Sequence, residues 1–176
     1  MPGDEKPVGV AVLGLGNVGS EVVRIIENSA EDLAARVGAP LVLRGIGVRR
    51  VTTDRGVPIE LLTDDIEELV AREDVDIVVE VMGPVEPSRK AILGALERGK
   101  SVVTANKALL ATSTGELAQA AESAHVDLYF EAAVAGGHSG HPSAHPVAGR
   151  RHGAASGRDR QRHHQLHPLG DGQHRR

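Results

Sequence analysis

The sequence predicts an α/β fold in which a doubly wound parallel sheet is followed by a disordered tail. β-branched runs alternate with helical patterns through residues 8–137, and this alternation is typical of a parallel sheet. A glycine-rich turn joins the first run to the first helical pattern. The composition then changes, because residues 1–137 contain 13 Lys and Arg and 22 Asp and Glu, whereas residues 138–176 contain 7 Arg, 2 Asp and eight of the nine histidines. We therefore expect one domain over 1–137 and a disordered segment over 138–176.

Each element is predicted from its own pattern. Strands are expected at the β-branched runs 8–13, 41–48, 75–81, 101–104 and 126–131. Helices are expected at 17–26, continuing or restarting through 31–37, and at 88–96 and 117–124. Two capping-box pairs, Asp64 with Glu67 and Ser113 with Glu116, indicate a further helix after Asp64 and place the start of the last helix at Ser113.

The composition excludes several classes of protein. The 176 residues are 40% hydrophobic, enough for one core, and this core must be aliphatic because Tyr129 and Phe130 are the only aromatic residues. The absence of cysteine excludes disulfides and thiolate metal sites. No apolar run could span a bilayer and the N-terminus does not resemble a signal peptide, so we expect a cytoplasmic protein with no membrane partner. The net charge of -4 is too small to indicate a nucleic-acid partner.

The glycine-rich turn predicts a dinucleotide site. Gly14 allows the bend out of the strand, Gly16 lets the backbone approach a pyrophosphate, and Gly19 lets the following helix pack close to the sheet. The N–H groups at the start of that helix then face the phosphates. Glycine-rich turns also occur in ordinary loops, but strand, turn and helix follow here in the order of a Rossmann-type fold. We therefore favour dinucleotide binding over a plain turn.

Two arginines follow the second predicted strand. An NAD site usually has an acidic residue there to bind the ribose 2′-OH, whereas Arg49 and Arg50 favour the 2′-phosphate of NADP. The alternative is that both are solvated loop arginines. The sequence thus favours NADP, with NAD as the second choice.

Three more residues lie at predicted strand or helix ends. Lys107 follows Thr104 closely and could donate to a ribose, a phosphate or a substrate carbonyl oxygen, or could equally be a surface lysine. Glu131 ends a strand before a glycine-containing turn, where a carboxylate and free carbonyls suit a hard cation; alone, a helix-capping role is the better interpretation. His125 lies at a predicted helix end and is assigned no chemistry.

Four segments together resemble one enzyme family: VGVAVLGLGNVGSEVV, VVEVMGP, SVVTANKALLA and YFEAAVAGG. They are similar to the nucleotide-binding domain of homoserine dehydrogenase, and the similarity covers residues 8–137. That family interconverts aspartate 4-semialdehyde and homoserine with NAD(P)H, on the route to threonine and methionine. The resemblance implies a small-molecule substrate and a homo-oligomer for the complete enzyme.

The resemblance also implies roles for individual residues. The pyrophosphate would be held by the turn residues Gly14, Gly16, Asn17, Val18 and Gly19. Arg49 and Arg50 would lie near the 2′-phosphate, and Thr104 and Lys107 would line the nicotinamide side, with Lys107 also near the substrate as a catalytic residue. A sodium ion would be bound by Glu131 and the carbonyls of Val134 and Gly136. Pro84 departs from the family, which commonly has a second glycine there.

Residues 138–176 depart from the family altogether. The family continues with a catalytic and dimerisation domain that carries a second, proton-donating lysine, so we expect this chain to have no useful turnover. Read one base later, the codons of 138–142 permit Ile-Pro-Val-Ile-Arg, and those of 161–168 permit the family signature Asn-Gly-Thr-Thr-Asn-Tyr-Ile-Leu. The codons of 147–155 permit a third expected segment. The hypothesis is that the reading frame changes near Gly137; the alternative is a histidine-rich metal-binding tail.

Two other functions fit the sequence. One is a stand-alone NADP-binding sensor or interaction domain, which would bind the cofactor without activity. The other is a different Rossmann amino-acid oxidoreductase, such as an enzyme resembling aspartate dehydrogenase. Amino-acid substrates tested on a chain with a restored frame would separate the second from homoserine chemistry.

Overall fold

A computed structural model describes residues 6–130, and these form a parallel α/β sheet with helices on both faces. The predicted fold class is confirmed. The strands are β1 (Val8–Leu13), β2 (Leu41–Gly47), β3 (Leu62–Thr63), β4 (Ile77–Glu80), β5 (Ser101–Thr104) and β6 (Leu128–Phe130). The helices are α1 (Asn17–Asn28), α2 (Ala30–Val37), α3 (Ile66–Ala71), α4 (Val85–Leu96) and α5 (Lys107–Ala124), and a short 3₁₀ helix spans Ile59–Leu61.

The strand order is β3-β2-β1-β4-β5-β6, and all neighbours are parallel. The chain moves outward from β1 to β3, then crosses to the other side of β1 and moves outward again from β4 to β6. The connections therefore change direction between β1 and β4. In such sheets a crevice opens beyond the carboxyl ends of these two strands.

The core is aliphatic, as predicted, and lies in two layers. On one face Val23 and Ile26 of α1 pack with Val10 and Val12 of β1 and Ile46 of β2. On the other face apolar residues of α3, α4 and α5 pack over β1, β4 and β5; they include Leu69, Ile92, Leu96, Leu109 and Leu117. Both aromatic side chains are exposed, Tyr129 at 59% and Phe130 at 41%.

Two predicted helix starts are wrong, one by a single residue and the other by seven. The α3 helix is capped by Asp65, not Asp64, because the Oδ1 atom of Asp65 accepts a hydrogen bond from Glu68 N at 2.8 Å. The α5 helix begins at Lys107 with Asn106 as its N-cap, so Ser113 lies inside the helix. Ser113 is buried on the same stripe as Leu109 and Leu117, four residues away on either side, and this packing overrides its capping preference.

Smaller differences concern element ends. The α4 helix begins at Val85 and not at Ser88, because Pro87 falls in the first turn, where a missing N–H is tolerated. The two-residue strand β3 was not predicted, since two residues carry no detectable pattern. The α5 helix ends at Ala124, and its C-cap residue His125 adopts a left-handed conformation with φ 56°.

The predicted disordered tail and the predicted domain boundary at residue 137 lie outside the described residues. Within residues 6–130, none of the helices has the length and apolar character needed to cross a bilayer.

Candidate dinucleotide site

The crevice between β1 and β4 contains a small cleft. It is lined by Val18 of α1, by Val81 and Gly83 after β4, and by Ala105 and Asn106 after β5. A wider depression lies between α3 and α4, but its lining includes Asp64, Asp65, Glu67 and Glu68. Because these carboxylates repel phosphates, the cleft beside the glycine turn is the better candidate for a dinucleotide.

Two glycines of the turn are required by the protein itself. Gly14 has φ +102°, and a Cβ placed on it would lie 2.8 Å from the carbonyl oxygen of Val81. A Cβ on Gly19 would lie 2.0 Å from the carbonyl oxygen of Gly14. Gly14 N also donates a hydrogen bond to Gly47 O at 2.9 Å, which holds the turn against β2. These contacts fix the approach of α1 to the sheet.

Gly16 is different, because the protein does not need a glycine there. Its φ is −87°, and a Cβ would meet no atom within 4 Å. It is the N-cap of α1, yet no side chain caps the helix, so the first N–H groups of α1 have no side-chain partner. Asn17 and Val18 form the first turn of this open helix end, and Val18 is 57% exposed. Free space and free donors fit a bound pyrophosphate.

The arginines near the turn divide into two groups. Arg49 and Arg50 are exposed just beyond β2. Arg55, which the sequence analysis missed, reaches the glycine turn from the next loop, where its Nη1 donates to Leu15 O at 3.2 Å. Its Nε is buried and finds no acceptor within the part of the chain that the structure describes. No sequence pattern links Arg55 to the turn, since 40 residues separate Arg55 from Leu15.

The chain is similar to known proteins over this region. Residues 14–131 match the family model described as homoserine dehydrogenase, NAD binding domain. The chain belongs to this family. The homoserine dehydrogenase of Mycobacterium leprae is 86% identical over 136 residues, which cover 77% of this chain and 31% of that protein. The enzyme of Corynebacterium glutamicum is 57% identical over 135 residues, covering 76% of this chain and 30% of that protein.

Solved structures give the same result. A crystal structure of S. aureus homoserine dehydrogenase at pH 6.0 matches with a TM-score of 0.67 and 40% identity, over 72% of this chain and 32% of that one. The enzyme from Thiobacillus denitrificans matches with a TM-score of 0.68 and 36% identity, over 73% of this chain and 30% of that one. The chain thus spans about a third of the length of these homoserine dehydrogenases.

Within this NAD-binding domain, Thr104 and Lys107 lie at the carboxyl end of β5 but differ in surroundings. Thr104 is 1% exposed, and its hydroxyl donates to Glu80 Oε2 at 2.7 Å. Lys107 is exposed as the first residue of α5, and no ion pair within residues 6–130 includes it. Thr104 therefore belongs to the buried layer of polar side chains beneath the cleft, which we call the floor of the candidate site. Lys107, in contrast, is exposed and free to reach a ligand.

Glu80 lies at the centre of this floor, since the other polar groups of the floor donate hydrogen bonds to it. The sequence analysis did not predict it as a site residue. Glu80 ends β4, is 0% exposed and pairs in register with Thr104. Its Oε1 accepts hydrogen bonds from Met82 N and from the hydroxyl of Ser88, both at 2.7 Å. An acidic residue inside the apolar run VDIVVEV was the available signal, because a buried carboxylate must have hydrogen-bond donors.

Asn106 connects this floor to the cleft. Its Oδ1 accepts a hydrogen bond from Leu109 N at 3.1 Å, which caps α5. Its Nδ2 donates to Gly83 O at 3.1 Å and to Ser88 Oγ at 3.2 Å. One amide side chain therefore holds the loop after β4, the start of α5 and the hydroxyl of α4 in one arrangement.

The predicted sodium ligands Glu131, Val134 and Gly136 lie outside the described residues. Among residues 6–130, His and acidic side chains form no group of three that could hold a metal ion.

Proposed function

We propose that the chain binds NADP(H) in the crevice between β1 and β4 and is the cofactor-binding part of a homoserine dehydrogenase. The observation that carries the proposal is Gly16, where the helix end is uncapped and a side chain would meet no protein atom. A glycine that packing does not require is explained by a ligand that must approach the backbone. The family membership of residues 14–131 supports the same conclusion.

The phosphates would be held on the β1 and β2 side of the crevice. The N–H groups of Asn17, Val18 and Gly19 at the start of α1 would bind the pyrophosphate. Arg49 and Arg50 would bind the 2′-phosphate, and Arg55 adds a third guanidinium beside the turn. The two arginines directly after β2, where an NAD site usually has an acidic residue, favour NADP over NAD.

The nicotinamide would lie on the β4 and β5 side, since the two halves of the sheet each bind one nucleotide. Bound NADPH would supply a hydride to the aldehyde carbon of aspartate 4-semialdehyde, and the second lysine expected in the family's catalytic domain would supply the proton that completes homoserine. Lys107 would donate a hydrogen bond to the substrate carbonyl oxygen and stabilise its developing negative charge. Thr104 would hold the end of β5 beneath the ring through its bond to Glu80. Glu131, with the carbonyls of Val134 and Gly136, remains our proposal for a sodium site.

Cofactor titration tests the proposal directly. NADPH fluorescence should report saturable binding to the purified chain, and Gly16→Ala should weaken this binding at least about tenfold, because the methyl group occupies the space of the pyrophosphate. The matched control is Gly115→Ala, which also meets no atom within 4 Å but lies in α5. Absence of NADPH binding by the unchanged chain would contradict the proposal.

Residues 138–176 are proposed to be an out-of-frame translation of the coding DNA. The similarity to the M. leprae enzyme extends over 136 residues, whereas the codons of the remaining segment permit family sequence when shifted by one base. Sequencing the DNA across the Gly137 codon tests this hypothesis. Once the frame is restored, homoserine should support NADP⁺ reduction. Reduction with aspartate in place of homoserine would assign the chain to the alternative amino-acid oxidoreductase, and activity of the chain as written would contradict the frame hypothesis.

A further inference from the structure

Glu80 is the only buried carboxylate within residues 6–130, and its hydrogen bonds define the positions of the protons around it. The Oδ1 atom of Asn106 accepts from Leu109 N, so its Nδ2 is the atom that donates to Ser88 Oγ. Because the Ser88 hydroxyl accepts that bond, its own proton is directed to Glu80 Oε1. Glu80 is therefore an acceptor in this bond.

The second hydroxyl leads to the same result. Thr104 Oγ1 accepts from the backbone N–H of Asn106 at 3.1 Å, so its proton is directed to Glu80 Oε2 at 2.7 Å. The third donor is the backbone N–H of Met82. All three neighbours donate, and the arrangement is that of an anionic carboxylate bound by neutral donors.

No cation neutralises this carboxylate in the part of the chain from residue 6 to 130. None of the ion pairs there includes Glu80. Buried charges are normally paired, because an unpaired charge in a low-dielectric interior is costly. The fold thus retains a negative charge where neutral residues would pack at lower cost, and this points to a positive group outside the protein.

The cleft lies next to the hydrogen-bonded network around Glu80. Gly83 and Asn106 line it, and both belong to the hydrogen-bonded network around Glu80. We propose that Glu80 makes this cleft selective for a cationic aromatic ring, the oxidised nicotinamide, over a neutral ring of the same shape. This inference rests on the proposed function, which places the nicotinamide at the ends of β4 and β5.

The expected size of the effect follows from the distance and the medium. Two unit charges within about 10 Å of each other, at an intermediate effective dielectric constant, interact strongly enough to change affinity roughly tenfold. Lys107 carries the opposing charge nearby, but it is exposed, so solvent and salt screen it more than they screen Glu80.

The test compares NADP⁺ with its benzamide analogue, in which carbon replaces the ring nitrogen and the ring is neutral. Calorimetric titration of the full chain should show NADP⁺ bound roughly tenfold more tightly than the analogue. Glu80→Gln removes the charge and should make the two affinities equal. Glu80→Asp keeps the charge while disturbing the network, and should retain most of the preference.

Several outcomes would overturn the inference. Equal affinities in the unchanged chain would do so without any variant, which covers the case in which Glu80→Gln does not fold. A loss of preference in Glu80→Asp as large as in Glu80→Gln would assign Glu80 a structural role only. ADP-ribose 2′-phosphate, which lacks the ring, should bind all three proteins alike. If the unchanged chain binds none of the three ligands, the proposed function itself fails, and this result is distinct from equal binding.

Discussion

Among residues 6–130 two charged side chains are buried, one at each end of the parallel strands. Lys100 precedes β5 at the amino ends and is 6% exposed, whereas Glu80 ends β4 at the carboxyl ends and is 0% exposed. Neither has an ion-pair partner within residues 6–130. The groups that bind them differ: the partners of Lys100 are backbone carbonyls only, whereas the network around Glu80 extends to the candidate cleft.

At the amino ends, Lys100 acts on the backbone alone. Its Nζ donates to Arg72 O and Val75 O, both at 2.6 Å, and so closes the segment between α3 and β4. Burial lowers the pKa of Lys100, and this effect outweighs the attraction of Asp76 and Asp74. Every contact of this ammonium group is internal, so we assign it a role in stability only.

At the carboxyl ends, Glu80 acts on groups that also line a cleft. Met82, Ser88 and Thr104 donate to it, and Asn106 joins the last two to the cleft wall. A change here should affect ligand binding as well as stability. Two buried charges of opposite sign are therefore expected to differ in their effect on ligand binding, because open parallel sheets bind ligands beyond the carboxyl ends of their strands.

The largest expected effect tests how far residues at the carboxyl ends of the strands also contribute to stability. Gly19→Ala places a Cβ 2.0 Å from Gly14 O, so we expect a loss of at least about 3 kcal/mol in the free energy of unfolding. Gly16→Ala, three residues away, should change it by no more than about 1 kcal/mol while weakening NADPH binding. Urea unfolding of both variants measures the difference. Similar stability losses would show that Gly16 is also a packing glycine.

The second prediction concerns the amino edge. Lys100→Met leaves one buried and one partly buried carbonyl without their donor and should lower the free energy of unfolding by about 3 kcal/mol. The control is Lys90→Met on α4, whose exposed ion pair with Glu67 should contribute no more than about 1 kcal/mol. Dissociation constants for NADPH should be unchanged in both. A weaker NADPH affinity in folded Lys100→Met would show that residues at the amino ends of the strands also affect ligand binding, contrary to this comparison.

The third prediction concerns the arginines. Arg55 is held at the glycine turn, whereas Arg49 and Arg50 are exposed, so Arg55→Gln should weaken NADP⁺ binding by about tenfold and Arg50→Gln by less. Titration with NAD⁺ is the control, because NAD⁺ lacks the 2′-phosphate. If Arg55 contacts that phosphate, Arg55→Gln should weaken NAD⁺ binding less than NADP⁺ binding. An equal loss for NAD⁺ and NADP⁺ would place Arg55 at the pyrophosphate instead.

The smallest expected effect is a pH dependence at the amino edge. Because the pKa of Lys100 is lowered in the folded state, the unfolded chain binds more protons between that lowered pKa and 10.5. The Lys100 contribution to stability should therefore rise as pH increases through this interval. The difference in unfolding free energy between the unchanged chain and Lys100→Met isolates it, since the other groups cancel. A difference that is constant or falls with pH would contradict this assignment.

Much of the fold was predictable because its signals are local. The β1 run, the glycine turn and the α1 stripe follow one another within residues 8–28, and each depends only on near neighbours in the chain. The aliphatic core followed from composition. The errors at Asp64 and Ser113 arose where two nearby residues compete for one cap or where packing outweighs a local preference.

The site was predictable only in part. The glycines and the positions of Thr104 and Lys107 follow from the rule for strand ends, but the hydrogen bonds of Thr104 do not. Glu80 and Thr104 are 24 residues apart, and Arg55 and Leu15 are 40 apart, so no local pattern connects them. Their proximity depends on which strands become neighbours.

The amino-acid sequence was therefore sufficient for the main strands and helices, the glycine-rich turn and the family resemblance, since each of these depends on short continuous segments. The assembled sheet was needed to show that Glu80 is buried without a counter-charge and that Arg55 reaches the turn. Electrostatic environment and hydrogen-bond direction depend on every group packed around an atom. Those groups come from distant parts of the chain and meet only when β1, β4 and β5 lie side by side.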